Sequence, residues 1–288
     1  MNRRRVVTVP ATTANLGPGF DVLAGALSLT LTVEVEETGS FAVETNLDVP
    51  RDKSNLIVRA FETLHGADDF TFRVSTEIPL TGGLGSSASA ILAGLAAADH
   101  IFELGADLLS QATAIEGHQD NLAAALMGGF VACTPDHVAR IEPPAGLEGV
   151  IAIPPQSHAV PTSEARASLP AEVPVAEAVT TAANTAYVAL GLERGDLDLL
   201  ARGLHDVLHQ PRRAHLYPSS MALVEGAQGL GALGGTISGA GPTVLLWTTW
   251  EQTGNVIEAA RAHLAGAGED GWDLRRVTFT PHGLDVAV

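Results

Sequence analysis

Leu29, Leu31, Val33 and Val35 alternate with Thr30, Thr32, Glu34 and Glu36, the period-two pattern of a strand with one buried face. Residues 6–9 form an earlier apolar strand, 41–45 a short strand that pairs nearby, and 70–78 a further alternating strand. Helical spacing separates them. Residues 55–65 put Leu56, Ala60 and Leu64 on one side, and 88–103 carries no Gly or Pro apart from Gly94. Shorter helical segments follow at 108–115 and 122–127, and from Gly128-Gly129 an apolar strand runs to Thr134.

Pro143-Pro144-Ala145-Gly146 is the best candidate boundary. Beyond it the pattern predicts a strand at 150–153, turns through Pro174, helices at 175–190, 196–209 and 219–228, and a strand at 244–247. A helix at 255–264 and strands near Val277 and Val286 complete an α+β chain, read as two domains, 1–149 and 150–288. There is no internal repeat.

Composition narrows the function. With 46% hydrophobic and 17% charged residues the chain is expected to be globular, and its formal charge of −17 disfavours nucleic acid and anionic membrane surfaces. An anionic ligand must therefore be held by local donors. Lys53 is the sole lysine, so arginines away from the N-terminus become candidate clamps. The single cysteine, Cys133, excludes an intrachain disulfide or a thiolate metal cluster and reads as a buried strand residue that fits a reducing cytoplasm. Arg3-Arg4-Arg5 precedes too short an apolar stretch for a signal segment, and no run of about 18 apolar residues is present to span a membrane.

The candidate chemistry sits in loops. Ile78-Pro79-Leu80-Thr81-Gly82-Gly83-Leu84-Gly85-Ser86-Ser87-Ala88-Ser89-Ala90 joins a strand to a helix. The first amides of a helix lack internal acceptors and carry its positive end, and glycines let the backbone approach an anion closely. Ser86 and Ser87 add hydroxyls for phosphate or a hard cation. The loop lacks the lysine of a P-loop NTPase and the spacing of a dinucleotide fingerprint; taken alone it also reads as a serine-capped turn. A second loop, 10–21, presents Asn15 and Asp21, which suit an ammonium or hydroxyl but equally form local Asx turns. A third, 234–243, reads as another glycine turn or as a plain hairpin, and two glycine loops in different halves suggest one cleft between them.

Together these segments resemble the three motifs of the GHMP kinase superfamily: 10–21 its N-terminal motif, 79–90 its P-x-x-x-G-L-G-S-S-A phosphate loop, and 237–243 its S-G-[AS]-G-P-T motif. The resemblance implies a two-domain fold, with an N-terminal domain like the second domain of ribosomal protein S5 and a ferredoxin-like C-terminal domain. Four further segments are similar to the homoserine kinase family: P-A-T-T-A-N-L-G-P-G-F-D-V-L at 10–23, E-G-H-Q-D-N-L-A at 116–123, P-T-S-E-A-R-A-S-L-P at 161–170, and Q-P-R-R through L-Y-P at 210–218.

That resemblance implies Mg²⁺-dependent transfer of the ATP γ-phosphate to the hydroxyl of L-homoserine in threonine biosynthesis, by a cytoplasmic enzyme that forms a homodimer. Another small-molecule GHMP kinase, such as a mevalonate kinase, or a non-catalytic nucleotide sensor are the alternatives. Carried over by position, Asn15, Asp21, His118, Thr162, Arg166 and Arg213 surround the amino acid. Spacing to Leu216 and Pro218 favours Arg213 over Arg212 as carboxylate clamp. Pro79, Leu80, Thr81, Gly82, Gly83, Leu84, Gly85, Ser86, Ser87, Ala88 and Ser89 would hold ATP, with Asn55 meeting adenine unless it only caps its helix. Ser87 and Glu116 would ligate Mg²⁺. Asp21 would orient homoserine, supported by Asp120 and Asn121; Asp120 is the candidate base if one operates.

Overall fold

The computed structural model describes residues 3–80, 82–155 and 162–288, with only the backbone at Thr162. Two sheets carry the molecule. The first is built on β1 (Arg4–Ala14) and the long β2 (Leu23–Glu37), antiparallel along most of their length with a register shift between Pro10 and Ala11. β3 (Ala42–Glu44) lies at one edge, parallel to β4 (Phe70–Thr76), which pairs with the distal part of β2. Between them α1 (Leu56–Glu62) packs against α2 (Ser86–Phe102) so closely that a Cβ on Gly94 would strike the Ile57 carbonyl oxygen.

After α3 (Leu108–Glu116) and α4 (Asp120–Met127), strand β5 (Phe130–Thr134) pairs with the proximal part of β2 and with β6 (His137–Ile141). The second sheet opens with β7 (Leu147–Ile153). Helices α5 (Thr162–Ala167), α6 (Val175–Arg194), α7 (Leu197–Gly203), α8 (Gln210–Arg213) and α9 (Pro218–Gly226) precede β8 (Gly234–Ile237) and β9 (Val244–Thr249). Helix α10 (Thr253–Gly266) leads to β10 (Asp273–Thr278), and the strand order is β10-β7-β9-β8. In order of appearance that is 4-1-3-2, all antiparallel, the ferredoxin-like arrangement. The chain then returns: β11 (Asp285–Ala287) joins the first sheet beside β1.

The main hydrophobic core is shared by both sheets, and a second, with Val150, Ile237, Val244 and Leu246, lies on the other face of the second sheet. The junction within the main core is aromatic, with Phe130 of β5, Trp247 of β9 and Phe279 packed at centroid distances of 4.6, 5.2 and 6.1 Å. Trp247 is fully buried and its indole N–H donates to Thr236 Oγ1 at 3.0 Å. Among the described residues no helix is long and apolar enough to cross a membrane.

Several elements differ from the pattern, among them α5, which is a helix where the sequence predicts only turns. Residues 10–14, expected in a loop, continue β1; all five are buried, so alternation is absent and the strand is invisible to a period-two reading. Gly234 and Gly235 open a strand rather than a turn, because α9 passes so close that a Cβ on Gly235 would meet Val224 and Ala227. β6 carries little apolar signal. The helix expected over 196–209 stops at Gly203, and the Asp206 carboxylate instead accepts from the amides of Leu208, His209 and Gln210 at 2.7–2.9 Å.

Candidate active site

The loop between β4 and α2 is held from both sides. Thr12 N–H of β1 donates to Leu84 O at 3.1 Å, and Ser238 Oγ donates to Gly83 O at 2.6 Å from the second half. Gly83 takes φ +83°, and a Cβ there would collide with the Ser238 carbonyl oxygen, so the close approach of two glycine turns requires glycine. Gly85, also left-handed, stands at the N-cap of α2 without any side-chain cap, leaving the first amides of this helix for another acceptor.

A cavity of about 440 Å³ at this helix start is also lined by Asn15, Asp21, His118, Asp120, Asn121, Arg166 and Arg213. Asn15 is buried in a left-handed conformation; its Nδ2 donates to Gly239 O at 2.8 Å and its Oδ1 accepts from Asp21 N at 3.1 Å. One amide thus joins the first loop to the second glycine turn and aims Asp21. Arg166 of α5 meets Asp21 in a bidentate pair, which raises the guanidinium pKa further.

Arg213 is only 2% exposed. Its Nε donates to Ala165 O at 2.8 Å, its Nη1 lies 3.3 Å from His209 Nδ1 and 3.4 Å from Gly239 O, and its guanidinium sits 5.2 Å from the Phe20 ring centroid. None of these described partners is a carboxylate, and burial lowers its pKa. Arg212, by contrast, is engaged by Glu177 at 2.6 Å and by the carbonyls of Val207 and Leu208, outside the cavity.

On the remaining wall Ser87 Oγ donates to Glu116 Oε2 at 2.7 Å, bringing together two hard oxygen donors beside the phosphate loop. Asp120 is buried and accepts from Asn121 N at 2.7 Å, while Asn121 Oδ1 accepts from Thr12 Oγ1 at 2.6 Å. His118 Nδ1 lies 3.3 Å from Asp120 Oδ1, a charge contact off the line of a hydrogen bond, and it holds the His118 pKa above the usual imidazole range against the effect of burial.

Of the residues expected to hold ATP, Pro79, Leu80, Gly82, Gly83, Leu84, Gly85, Ser86 and Ser87 line the cavity. Ala88 and Ser89 do not; both are buried, and Ser89 Oγ donates to Pro10 O and Gly85 O, bracing the helix start. Asn55 is likewise outside it, capping α1 by accepting from Ile57 N at 3.0 Å while its Nδ2 donates to Pro50 O at 2.8 Å. Thr81 lies outside the described residues, as does the side chain of Thr162. Phe20, Gly239, Ala240 and Gly241 line the cavity and were not among the expected site residues. The Ser-Gly-Ala-Gly-Pro run marked the last three; Phe20 carried no polar signal.

Comparison with known proteins identifies the family. Residues 55–129 match the model of the GHMP kinases N terminal domain, and residues 188–266 that of the GHMP kinases C terminal domain. The chain is 40% identical over 272 residues to a homoserine kinase of Thermus thermophilus, covering 90% of this chain and 92% of the relative. A homoserine kinase of Moorella thermoacetica is 38% identical, with 86% and 88% covered. The crystal structure of homoserine kinase from Cytophaga hutchinsonii superposes with a TM-score of 0.85 at 30% identity, over 99% of this chain and 98% of the other. The chain therefore belongs to the homoserine kinases of the GHMP kinase family.

Proposed function

We propose that this cavity transfers the γ-phosphate of ATP to the hydroxyl of L-homoserine, giving O-phospho-L-homoserine and ADP, with the hydroxyl proton released to solvent. One observation carries the reading: an uncapped, glycine-rich helix start shares a single cavity with an acidic acceptor at Asp21 and a buried guanidinium at Arg213 without a described carboxylate partner. The first suits a phosphate, the second an ammonium or hydroxyl, the third a carboxylate.

Arg213 receives the amino acid carboxylate, helped by Arg166. Asp21 accepts from the ammonium or hydroxyl, in an orientation set by Asn15 and Arg166. His118, beside Asp120, offers a hydrogen bond to the amino acid substrate. The amides of Gly83, Gly85, Ser86 and Ser87 hold the nucleotide phosphates. Ser87 and Glu116 would hold Mg²⁺, which neutralises phosphate charge when bound. Phosphoryl transfer passes through a loose transition state, so alignment and charge neutralisation can supply most of the rate enhancement, with Asp120 and Asn121 keeping the wall in place.

The experiment is ATP turnover by the purified chain with Mg²⁺ against L-homoserine, L-serine, L-threonine and mevalonate, with the phosphorylated product identified by ³¹P NMR. Homoserine is the preferred acceptor. Preference for mevalonate, or ATP binding with no phosphohomoserine formed, overturns the proposal.

A further inference from the structure

A buried guanidinium selects a carboxylate only if its orientation is set before the ligand arrives. For Arg213 one side is fixed by Ala165 O; the other meets an imidazole. His209 is fully buried and belongs to none of the loop motifs discussed above. Its Nε2 lies 2.7 Å from Gly17 O and 3.4 Å from Asp206 Oδ2. Both oxygens only accept, so Nε2 carries the proton. Its Nδ1 faces Arg213 Nη1, which only donates, so Nδ1 presents a lone pair. Both sides of the ring demand the same neutral tautomer.

The surroundings keep it neutral and still. An imidazolium would turn an N–H toward the N–H of Arg213 and add a second buried cation. Burial is the main cause that depresses the imidazole pKa and Arg213 adds to it, outweighing the opposing pull of Asp206. Asp206 fixes the backbone by accepting from His209 N at 2.9 Å and Gln210 N at 2.7 Å, and the Phe20 ring packs 5.4 Å from the imidazole. Gly17 lies in the same loop as Asn15 and Asp21. The imidazole therefore bridges the loop of the acidic acceptor and the helix of the carboxylate clamp.

We propose that His209, as its neutral Nε2–H tautomer, is a positioning residue that sets the Arg213 guanidinium for the substrate carboxylate and ties it to the loop at Gly17. This rests on the reading of Arg213 as that clamp.

Two substitutions divide the imidazole's contacts. His209→Gln places an amide N–H near the Nε2 position, keeping the Gly17 bond and losing the acceptor toward Arg213; His209→Asn places an oxygen near Nδ1 and loses the Gly17 bond instead. Steady-state kinetics with L-homoserine and with homoserine amide, which lacks the carboxylate charge, read the difference. H209Q raises the homoserine KM roughly tenfold, as expected for one lost hydrogen bond, and leaves the KM for the amide unchanged. H209N keeps a homoserine KM at least about threefold below that of H209Q. Equal rises for both acceptors in H209Q, or an H209N as impaired as H209Q, overturn the inference.

Arg213→Ala separates the levels. If it abolishes the preference for homoserine over its amide while H209Q retains that preference, His209 loses its role and the clamp stands. If the preference survives in R213A, the clamp and this inference fall together, and absence of homoserine turnover in the parent removes the proposed function itself. A readout independent of any variant is ¹⁵N NMR of the histidine-labelled parent at neutral pH. A buried imidazole with Nε2 protonated and Nδ1 bare is expected there, and an Nδ1–H tautomer or an imidazolium at His209 overturns the assignment.

Discussion

The Asp21 carboxylate and the Arg166 guanidinium meet edge to edge, with Nη1 2.8 Å from Oδ2 and Nη2 2.9 Å from Oδ1. Both groups are partly exposed, so the pair contributes little to folding. Its value is directional, because it fixes the acid that faces the phosphate loop. Asp21→Asn and Arg166→Ala should each lower kcat/KM for homoserine ten- to a hundredfold, corresponding to roughly 1.5–3 kcal/mol for a charge-assisted contact. The double variant should lose less than the sum of the two, because each partner acts through the other. Strict additivity in that cycle would argue that the pair is incidental.

Arg213→Ala should raise the homoserine KM ten- to a hundredfold, on the order of 1.5–3 kcal/mol. Arg212→Ala should leave KM near the parent value, since its partners lie outside the cavity, and change stability by no more than about 1 kcal/mol. Comparable KM rises in both would show that the clamp has been assigned to the wrong neighbour.

Ser87 and Glu116 share a hydrogen bond beside the helix start. Ser87→Ala and Glu116→Gln should shift the Mg²⁺ concentration needed for half-maximal rate upward by about tenfold while moving the homoserine KM less. Titrating Mg²⁺ at fixed ATP tests this; an unchanged Mg²⁺ response removes both residues from the cation's surroundings.

Asp120 is the chief influence that favours the charged form of His118 and raises its pKa. A folded pKa above the roughly 6.5 of a free histidine means that the stabilisation is fully present below that pH and lost as pH rises through the folded value. The Tm gap between parent and Asp120→Asn should therefore be widest below about pH 6.5 and narrow as pH rises above it. A gap that stays constant over that range would leave the charge contact without a role in stability.

Gly83 and Gly39 have nearly the same φ, +83° and +80°, but only Gly83 has a carbonyl oxygen where a Cβ would stand. Gly39→Ala should cost about 1 kcal/mol for the left-handed backbone alone. Gly83→Ala should cost at least ~2 kcal/mol and weaken ATP binding as well, read by urea unfolding and nucleotide titration. Equal costs would mean that the two glycine turns can part without penalty.

How much of this was legible depended on what each residue had to signal. The phosphate loop showed itself because Gly82, Gly83 and Gly85 all adopt positive φ where the chain enters a helix. The spacing from Leu216 and Pro218 singled out Arg213, which the fold then buries beside the cavity. Asn55 was ambiguous between adenine and a helix cap, and both ends of its amide are taken locally. Residues 10–14 concealed their strand because sheet and helices cover both faces. Phe20 and His209 were silent for a different reason: an apolar ring and a lone imidazole gain meaning only from neighbours distant in sequence, here two guanidinium groups and the carbonyl of Gly17.

The rings of Phe130, Trp247 and Phe279 also decide how the enzyme can move. Prising the sheets apart would wet aromatic surface of about 150–250 Å² per ring, which at about 25 cal/mol/Å² amounts to on the order of 10 kcal/mol for the three. A hinged-open form would then be populated in only about one molecule in ten million. A motion that fully separates the sheets at these rings is therefore too costly to accompany each turnover.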